Sequence, residues 1–228
     1  MKVFKINGII LKKKEYGENN LLVTIFSKEI GKILAMAYGI TKSKKRNLAA
    51  YNPMNIVEFT ISKKNNFYSI KEASIVKVFK NILKDIEKLE ISLYILDSIN
   101  KIYDESVENQ IFFNKLSDIL SYIDEIVNLK DGYKYYILMA FLHRIMVEHG
   151  IYGTSEVKSL LKKELFLEYK KILILSKNLN FQKKVEQHKD SLKKIVIIFE
   201  KYVNMQLQVE LNMQKFILEG FYGKQKNC

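Results

Sequence analysis

The sequence predicts an α+β fold, in which a small five-stranded β-barrel is followed by an α-helical domain. Up to about residue 80, short runs of β-branched and aromatic residues are separated by polar turns, which is typical of short strands. After Val78, apolar residues recur at intervals of three and four, which is the period of one helix face. This change of period gives a domain of residues 1–80 and a domain of residues 81–228.

Five strands are predicted in the first domain. Glu29-Ile30-Gly31 forms a tight turn before the third strand, and Gly31 is expected to need a positive φ. A long polar connection over residues 39–53 precedes the fourth strand. Five short strands favour a closed barrel, because closure removes the exposed edges of a sheet. The predicted strands cover residues 3–11, 21–27, 32–38, 55–62 and 67–73.

Helices are predicted throughout most of the second domain. Apolar stripes run through residues 82–99 and 111–127. A third helix covers residues 132–149, with Asp131 as its N-cap and Gly150 as its C-terminal stop. A long helical pattern begins at Asp190 and extends to about Gly220. Residues 151–189 mix apolar runs with Lys and Glu clusters and are assigned no single structure.

Charge is segregated along the chain, whose net charge is +13. Residues 1–80 hold sixteen Lys and Arg against five Asp and Glu, residues 81–153 seven against twelve, and residues 154–228 fifteen against eight. Basic regions attract polyanions, of which nucleic acid is the commonest. With thirty-six Lys and two Arg, the chain suits phosphates better than guanine edges, so weak sequence specificity is expected.

Composition and motifs argue against several classes of protein. No apolar run is long enough for a transmembrane helix, and the N-terminus lacks the apolar stretch of a signal peptide. Cys228 is the only cysteine, which excludes an internal disulfide and fits a reducing cytoplasm. The sequence has no phosphate-binding loop and no nucleophile motif, so neither enzymatic activity nor a cofactor is expected. His143, His149 and His188 are too scattered to supply a tetrahedral site, and no metal is expected.

Basic clusters are the strongest functional signal. Each cluster alone is better explained by a solvated, lysine-rich turn. Together on the connections of one barrel, and interleaved with aromatic residues, they fit the nucleic-acid surface of an OB-fold, where rings stack on bases and lysines contact the backbone. The interleaved aromatic residues are Tyr16, Phe26, Tyr38, Phe67 and Tyr68, of which Phe26 is favoured as a core residue. The candidate DNA-binding residues are Lys12, Lys13, Lys14, Lys32, Tyr38, Lys42, Lys44, Lys45, Arg46, Lys63 and Lys64.

An ordered series of short segments within residues 6–61 carries a family resemblance. The segments are Gly8-Ile9-Ile10-Leu11-Lys12, Tyr16-Gly17-Glu18-Asn19-Asn20-Leu21-Leu22-Val23-Thr24-Ile25-Phe26, Gly31-Lys32-Ile33, Ala37-Tyr38-Gly39, Leu48-Ala49-Ala50-Tyr51-Asn52-Pro53 and Val57-Glu58-Phe59. In order and spacing they resemble the RecO family of DNA repair proteins. Residues 89–103 and 141–152 are similar to the helical domain of that family, though more loosely.

The resemblance implies an N-terminal OB-fold, binding of single- and double-stranded DNA, and annealing of complementary strands. It also implies a mediator role in recombinational repair. The mediator, with RecR as its partner, helps the recombinase RecA to replace single-strand-binding protein in the bacterial cytoplasm, at the nucleoid and away from membranes. Many members carry a four-cysteine zinc site, which this chain lacks because it has no cysteine before Cys228.

Two other functions remain open: an RNA-binding OB-fold module, and a basic adaptor that binds acidic proteins only. Salt-dependent DNA binding distinguishes the adaptor from the other two, and a preference for DNA over RNA distinguishes the repair mediator from the RNA-binding module.

The basic C-terminal third also has two explanations. In one explanation, its lysines lie on the solvent-exposed faces of packed helices. In the other, they line a groove that binds the C-terminal tail of single-strand-binding protein, which is acidic and ends in an apolar residue. The lysine pairs in question are Lys162-Lys163, Lys170-Lys171, Lys183-Lys184 and Lys193-Lys194, beside the apolar run of residues 195–199.

Overall fold

A computed structural model describes residues 2–40, 42, 47–105, 110–129, 131–175 and 184–217. The chain divides into two compact units, residues 1–126 and residues 127–228. The change from strands to helices near residue 80 falls inside the first of these units. The first unit therefore combines the predicted barrel with the first two predicted helices.

Five strands form a closed barrel in the order β1-β2-β3-β5-β4. Neighbouring strands are antiparallel except β3 and β5, which pair in parallel. This five-stranded closed arrangement is the OB-fold that the sequence predicts. The strands are β1 (Lys2–Tyr16), β2 (Asn20–Ser27), β3 (Gly31–Ala37), β4 (Ile56–Lys64) and β5 (Phe67–Lys77).

Alternate side chains of each strand fill the barrel. On β2, for example, Leu21, Val23 and Ile25 are buried in the core cluster, while the residues between them are only partly buried. The long connection between β3 and β4 contains a short 3-10 helix (Leu48–Tyr51) whose Tyr51 also enters the core. Because strand side chains alternate between faces, this burial pattern fixes which residues face outward.

Strand β1 continues beyond its predicted end. The sequence placed Lys12, Lys13 and Lys14 on a connection, and the structure corrects this because all three lie within β1 and pair with β2. The pairing register shifts by one residue between Ile10 and Lys12, which marks a β-bulge. Cross-strand pairing beyond the bulge thus outweighs the low strand propensity of lysine.

Two helices complete the first unit, α1 (Ile86–Ile102) and α2 (Gln110–Glu125). Phe26 projects outward from β2, and its ring lies edge-on to Tyr103 and Phe112, with centroids 5.6 and 5.9 Å away. Phe26 is fully buried, as the sequence favoured. Buried Lys88 donates hydrogen bonds to the carbonyl oxygens of Asp124 and Ile126. It thereby provides a donor for backbone carbonyl groups at the C-terminal end of α2.

The described part of the second unit includes the helices α3 (Asp131–Glu148), α4 (Thr154–Leu175) and α5 (Lys189–Leu207). Gly150, with φ of 67°, follows the end of α3 as predicted. Residues 151–189, left unassigned from sequence, include the whole of α4. In the part of the chain that the structure describes, no helix is long and apolar enough to cross a membrane.

Helix α5 is shorter than predicted. It ends at Leu207, where the sequence placed its end near Gly220. Gln208 adopts a left-handed conformation, and the Asn204 side chain bonds both the N–H and the carbonyl of Leu211. Leu211 and Met213, in the segment that follows α5, are buried. Tertiary packing therefore ends a helix that the apolar periodicity alone would continue.

The turn before β3 generates a test of local conformation. Gly31 has φ of 72° and is buried. Replacing it with Ala is expected to lower the free energy of unfolding by about 1 kcal/mol, because a Cβ is strained at this φ. Val is expected to cost more, about 2–3 kcal/mol, since β-branched residues are least tolerated there. Urea unfolding measures both values, and equal stability of the three proteins would contradict the assignment.

Candidate nucleic-acid interface

The outward face of β1, β2 and β3 presents three rows of side chains. Residues directly opposite each other on paired strands point to the same side of the sheet. Because Leu21, Val23 and Ile25 point inward, the residues between them point outward together with their partners. The rows are Tyr16 with Asn20, Lys14 with Leu22 and Met36, and Lys12 with Thr24 and Leu34.

Aromatic rings mark one end of this face. Tyr16 pairs with Asn20, and Tyr38 directly follows β3 at the same end of the ladder. The Asn20 side chain accepts a hydrogen bond of 2.9 Å from the N–H of Gly39, which ties the chain after Tyr38 to β2. Tyr16 and Tyr38 are 57% and 58% exposed, so both rings are accessible to a ligand.

The turn between β4 and β5 adds a third aromatic ring. Phe67 is 78% exposed and pairs with Lys64 across the turn. Ser69, two residues further along β5, pairs with outward-facing Met36, which places Phe67 on the same outward face. The Lys63 ammonium lies 4.9 Å from the centroid of the Tyr68 ring. In OB-folds the face of strands two and three and the loops β1–β2 and β4–β5 are where oligonucleotides bind.

The structure places the predicted lysines in different surroundings. Lys12 and Lys14 are exposed on the outward face, and Lys64 is exposed at its edge beside Phe67. Lys13 points to the opposite side of β1, where its ammonium donates a hydrogen bond of 2.7 Å to Asn52. Lys42 is exposed in the connection after β3. The predicted residues Lys44, Lys45 and Arg46 lie outside the described residues.

Lys32 has an internal role. It pairs with Phe26, one row beyond Lys12, and its ammonium donates a hydrogen bond of 2.7 Å to the carbonyl oxygen of Asn100. Burial lowers the pKa of Lys32, while the negative charges of Glu105 and Asp104 act in the opposite direction. Its ammonium is thus held by the end of α1, so Lys32 differs from the exposed lysines with which the sequence grouped it.

The three rows offer a specific chemistry. None of the side chains named in them is acidic, and they combine two lysines with an apolar strip of Leu22, Leu34 and Met36. Leu34 is 41% exposed, which adds apolar surface between the lysines and the rings. The sequence pattern did not point to Leu22, Leu34 and Met36, because the strand period alone does not show which face a helix will cover. An apolar and aromatic platform edged by cations is suited to unpaired bases and their phosphates.

A second candidate site lies in the second unit, in a groove of about 690 Å³ between α4 and α5. Leu161, Leu165 and Ile198 supply apolar lining, and Lys163 and Lys194 supply cations. These lysines belong to two of the four pairs that the sequence singled out, whereas Lys183 lies outside the described residues.

The groove follows an interruption of α4. Lys162, which also lines it, has φ of 56° and ψ of 172°, a conformation that costs a non-glycine residue about 1–3 kcal/mol. Glu168 lies at the same groove and bonds Lys171 and His188 at 2.7 and 2.8 Å. The hydrogen bond from Lys171 contributes most to holding the pKa of Glu168 below its ordinary value. The negative charge of Glu168 is thereby countered within the protein.

The histidines are engaged separately. His143 lies 3.3 Å from the Tyr169 hydroxyl, and burial lowers its pKa. His188 bonds Glu168, and burial also lowers the pKa of His149. Among the described residues, no group of three or more His, Cys, Asp or Glu side chains is arranged to hold a metal ion.

Comparisons with known proteins agree with the architecture. Residues 1–79 match the family model described as recombination protein O N terminal, which spans all five strands. The chain is 32% identical over 126 residues to DNA repair protein RecO of Thermoanaerobacter sp. strain X514, covering 55% of this chain and 51% of the relative. It is 28% identical over 150 residues to DNA repair protein RecO of Alkaliphilus metalliredigens, covering 65% and 59%.

A third relative, DNA repair protein RecO of Bacillus cereus strain AH187, is 32% identical over 121 residues, covering 53% of this chain and 49% of the relative. The chain thus spans about half the length of the curated relatives that it matches, with values from 49% to 59% in these three. An aligned length of 150 residues extends beyond the 79 residues of the family model. The match over residues 1–79 and the similarity to these relatives confirm the predicted resemblance to the RecO family.

Proposed function

We propose that this protein binds DNA in recombinational repair, with the outward face of β1, β2 and β3 as its contact for single strands. The observation that carries this is the clustering of exposed Tyr16 and Tyr38 with exposed Lys12 and Lys14 on the face that OB-folds use for oligonucleotides. Stacking on a ring requires an unpaired base, whereas lysines contact the phosphates of either single or double strands. The same surface therefore holds a single strand by stacking and a duplex by charge alone.

The composition of this surface sets the expected selectivity. Every base has a face that can stack on Tyr or Phe, so stacking discriminates weakly between sequences. Lysine contacts to phosphates carry no sequence information. Weak selectivity is what annealing requires, because two complementary strands of any sequence must be held close together while their phosphate charges are neutralised.

The proposed role is that of a mediator and not of an enzyme. In this role the chain anneals complementary strands and assists the loading of RecA onto DNA that is covered by single-strand-binding protein, with RecR as partner. Similarity to curated DNA repair proteins RecO supports this role. RNA is the alternative ligand, since stacking platforms also accept its bases, and the binding tests below therefore include an RNA strand of the same sequence.

We propose that the groove between α4 and α5 binds the C-terminal tail of single-strand-binding protein. Such a tail is acidic and ends in an apolar side chain. The groove supplies apolar lining from Leu161, Leu165 and Ile198 and cations from Lys163 and Lys194. A charge-assisted contact to carboxylates next to an apolar pocket suits a peptide of this kind.

Aromatic stacking is tested by replacing Tyr16 and Tyr38 together with Ala. Each stacked base contributes about 1–3 kcal/mol, so the affinity for a thymidine oligonucleotide is expected to fall by at least tenfold. Replacement of both residues with Phe keeps the rings and is expected to retain most of the affinity. Fluorescence anisotropy at one fixed salt concentration gives the dissociation constants. Equal affinities of the Ala and Phe variants would exclude stacking, and tighter binding of the RNA strand would favour the alternative ligand.

Phosphate binding is tested by replacing Lys12 and Lys14 with Ala. For a single strand, each phosphate that is no longer bound is expected to reduce the slope of log affinity against log salt by roughly 0.7. Lys80→Ala with Lys84→Ala is the matched control, because both lysines are exposed, lie in the same unit and lie outside the proposed face. The control is expected to leave the slope unchanged. The same loss of slope in both variants would show that only net charge matters.

The peptide groove is tested in the full chain by calorimetry. A fragment beginning at residue 81 would cut the first unit, which extends to Ile126. Lys163→Gln with Lys194→Gln is expected to weaken binding of a synthetic tail peptide about tenfold, since charged hydrogen bonds contribute about 1.5–3 kcal/mol in buried settings and less at a rim. Lys158→Gln with Lys201→Gln changes one exposed lysine on each of the same helices, outside the groove lining. Unaltered binding in the groove variant would place the tail elsewhere.

A further inference from the structure

The row that follows Lys12, Thr24 and Leu34 on the barrel face is already occupied by the protein. In that row Phe26 pairs with Lys32, and Phe26 is covered by Tyr103 and Phe112. Successive outward rows lie two residues apart, which is about 6.6–6.8 Å along a strand. The exposed part of the face therefore ends one row beyond Leu34, where Tyr103 and Phe112 cover the sheet.

The edge of the covered row is acidic. Glu105 forms a parallel β-bridge with Lys32, which places it at the edge of β3 opposite β2. Strand β5 takes the same edge of β3 from Ala35 onward, so the acidic segment and β5 lie in succession along that edge. Asp104 and Glu105 are both exposed. Two carboxylates thus stand at the border between the covered row and the open rows.

The cation that these carboxylates approach is not presented for a ligand. Lys32 donates its hydrogen bond to the carbonyl oxygen of Asn100 and is partly buried. Glu105 is bridged to Lys32 through the backbone, and the charges of Glu105 and Asp104 oppose the lowering of the Lys32 pKa by burial. A phosphate arriving at this border meets two negative charges, and the ammonium of Lys32 faces the protein.

We propose that Asp104 and Glu105 form an anionic stop that ends the nucleic-acid path on the barrel face at Lys32 and confines the strand to the rows from Leu34 to Tyr16. This inference rests on the proposed DNA binding at that face. The stop limits the bound length to a short stretch of strand, because a path that continued over Lys32 would bring phosphates towards both carboxylates. Repulsion at the border also directs the strand towards the other end of the face, where Tyr38 and the turn at Phe67 lie.

The test replaces Asp104 with Asn and Glu105 with Gln in the full chain. Affinity for a thymidine oligonucleotide, measured by fluorescence anisotropy in low salt, is expected to rise about three- to tenfold, because two repulsive charges at roughly 10 Å from the phosphates are removed. The increase is expected to shrink as salt is added, because screening becomes complete within a shorter distance. Both side chains are exposed, so thermal unfolding is expected to shift only slightly, through the loss of their attraction to the ammonium of Lys32.

Asp118→Asn with Glu125→Gln is the matched control. It removes the same two charges from exposed positions on α2 in the same unit, and it is expected to change the affinity by less than about twofold. A second variant, Asp104→Lys with Glu105→Lys, extends the cationic surface past the border. It is expected to tighten binding further and to raise the salt slope by roughly 0.7 for each additional phosphate that is bound.

Three results would overturn the stop. Unchanged affinity of the Asn/Gln variant would show that the strand does not approach Asp104 and Glu105. An equal increase in the α2 control would show that net charge acts without regard to position. If the unaltered chain does not bind DNA in low salt, the proposed function fails and the stop fails with it, which is distinct from binding that the substitutions leave unchanged.

Discussion

The packing of one outward-facing aromatic residue, Phe26, determines which end of the outer barrel face is covered by protein and which end is exposed. A barrel of five short strands has an inner face that forms its core and an outer face that water, a ligand or another element must cover. Phe26 projects from the outer face of β2 and is buried against Tyr103 and Phe112. This packing attaches the segment after α1 and the start of α2 to one end of the face. The other end, with Tyr16 and Tyr38, is left exposed.

Charge in the first unit is also divided between the barrel and the segment that packs on it. The strands and connections of residues 1–80 carry the excess of lysine, while residues 81–126 hold four Lys and Arg against ten Asp and Glu. The acidic segment lies in the same compact unit as the basic barrel, so it does not simply lower the net charge of a separate domain. At Lys32 the two meet, and the lysine there is held by a backbone carbonyl of α1. Nearness to the helices thus decides whether a lysine of the barrel is held by the protein or left exposed to solvent.

The second unit shows how local backbone strain accompanies a groove. Helix α4 carries a lysine with positive φ at Lys162, and α5 ends at Gln208 in a left-handed conformation. Both conformations are unfavourable for residues with a side chain, and they persist only where surrounding contacts compensate for them. At Gln208 the compensation is visible in the Asn204 hydrogen bonds to Leu211. At Lys162 the interruption occurs within the lining of the groove itself.

The sequence by itself determined the α+β class, the five strands in order, the turn at Gly31 and the first three helices, because each depends on local periodicity or on one residue with special backbone freedom. It also placed lysines and tyrosines in the barrel and carried the resemblance to RecO. It did not determine the length of β1, since a bulge and pairing with β2 decide that. Nor did it fix the end of α5, which the packing of the returning chain sets.

Only the tertiary structure decided which of the predicted residues share a surface. Lys12, Lys13 and Lys14 are adjacent in sequence, yet the strand period sends Lys13 to the side opposite its neighbours. Lys32 lies on the outer face with Lys12, yet the end of α1 holds its ammonium. Tyr16 and Tyr38 are twenty-two positions apart in the sequence and lie at the same end of one ladder. Composition identifies the side chains whose chemistry suits nucleic acid, whereas pairing register and helix packing decide which of them are exposed on one face.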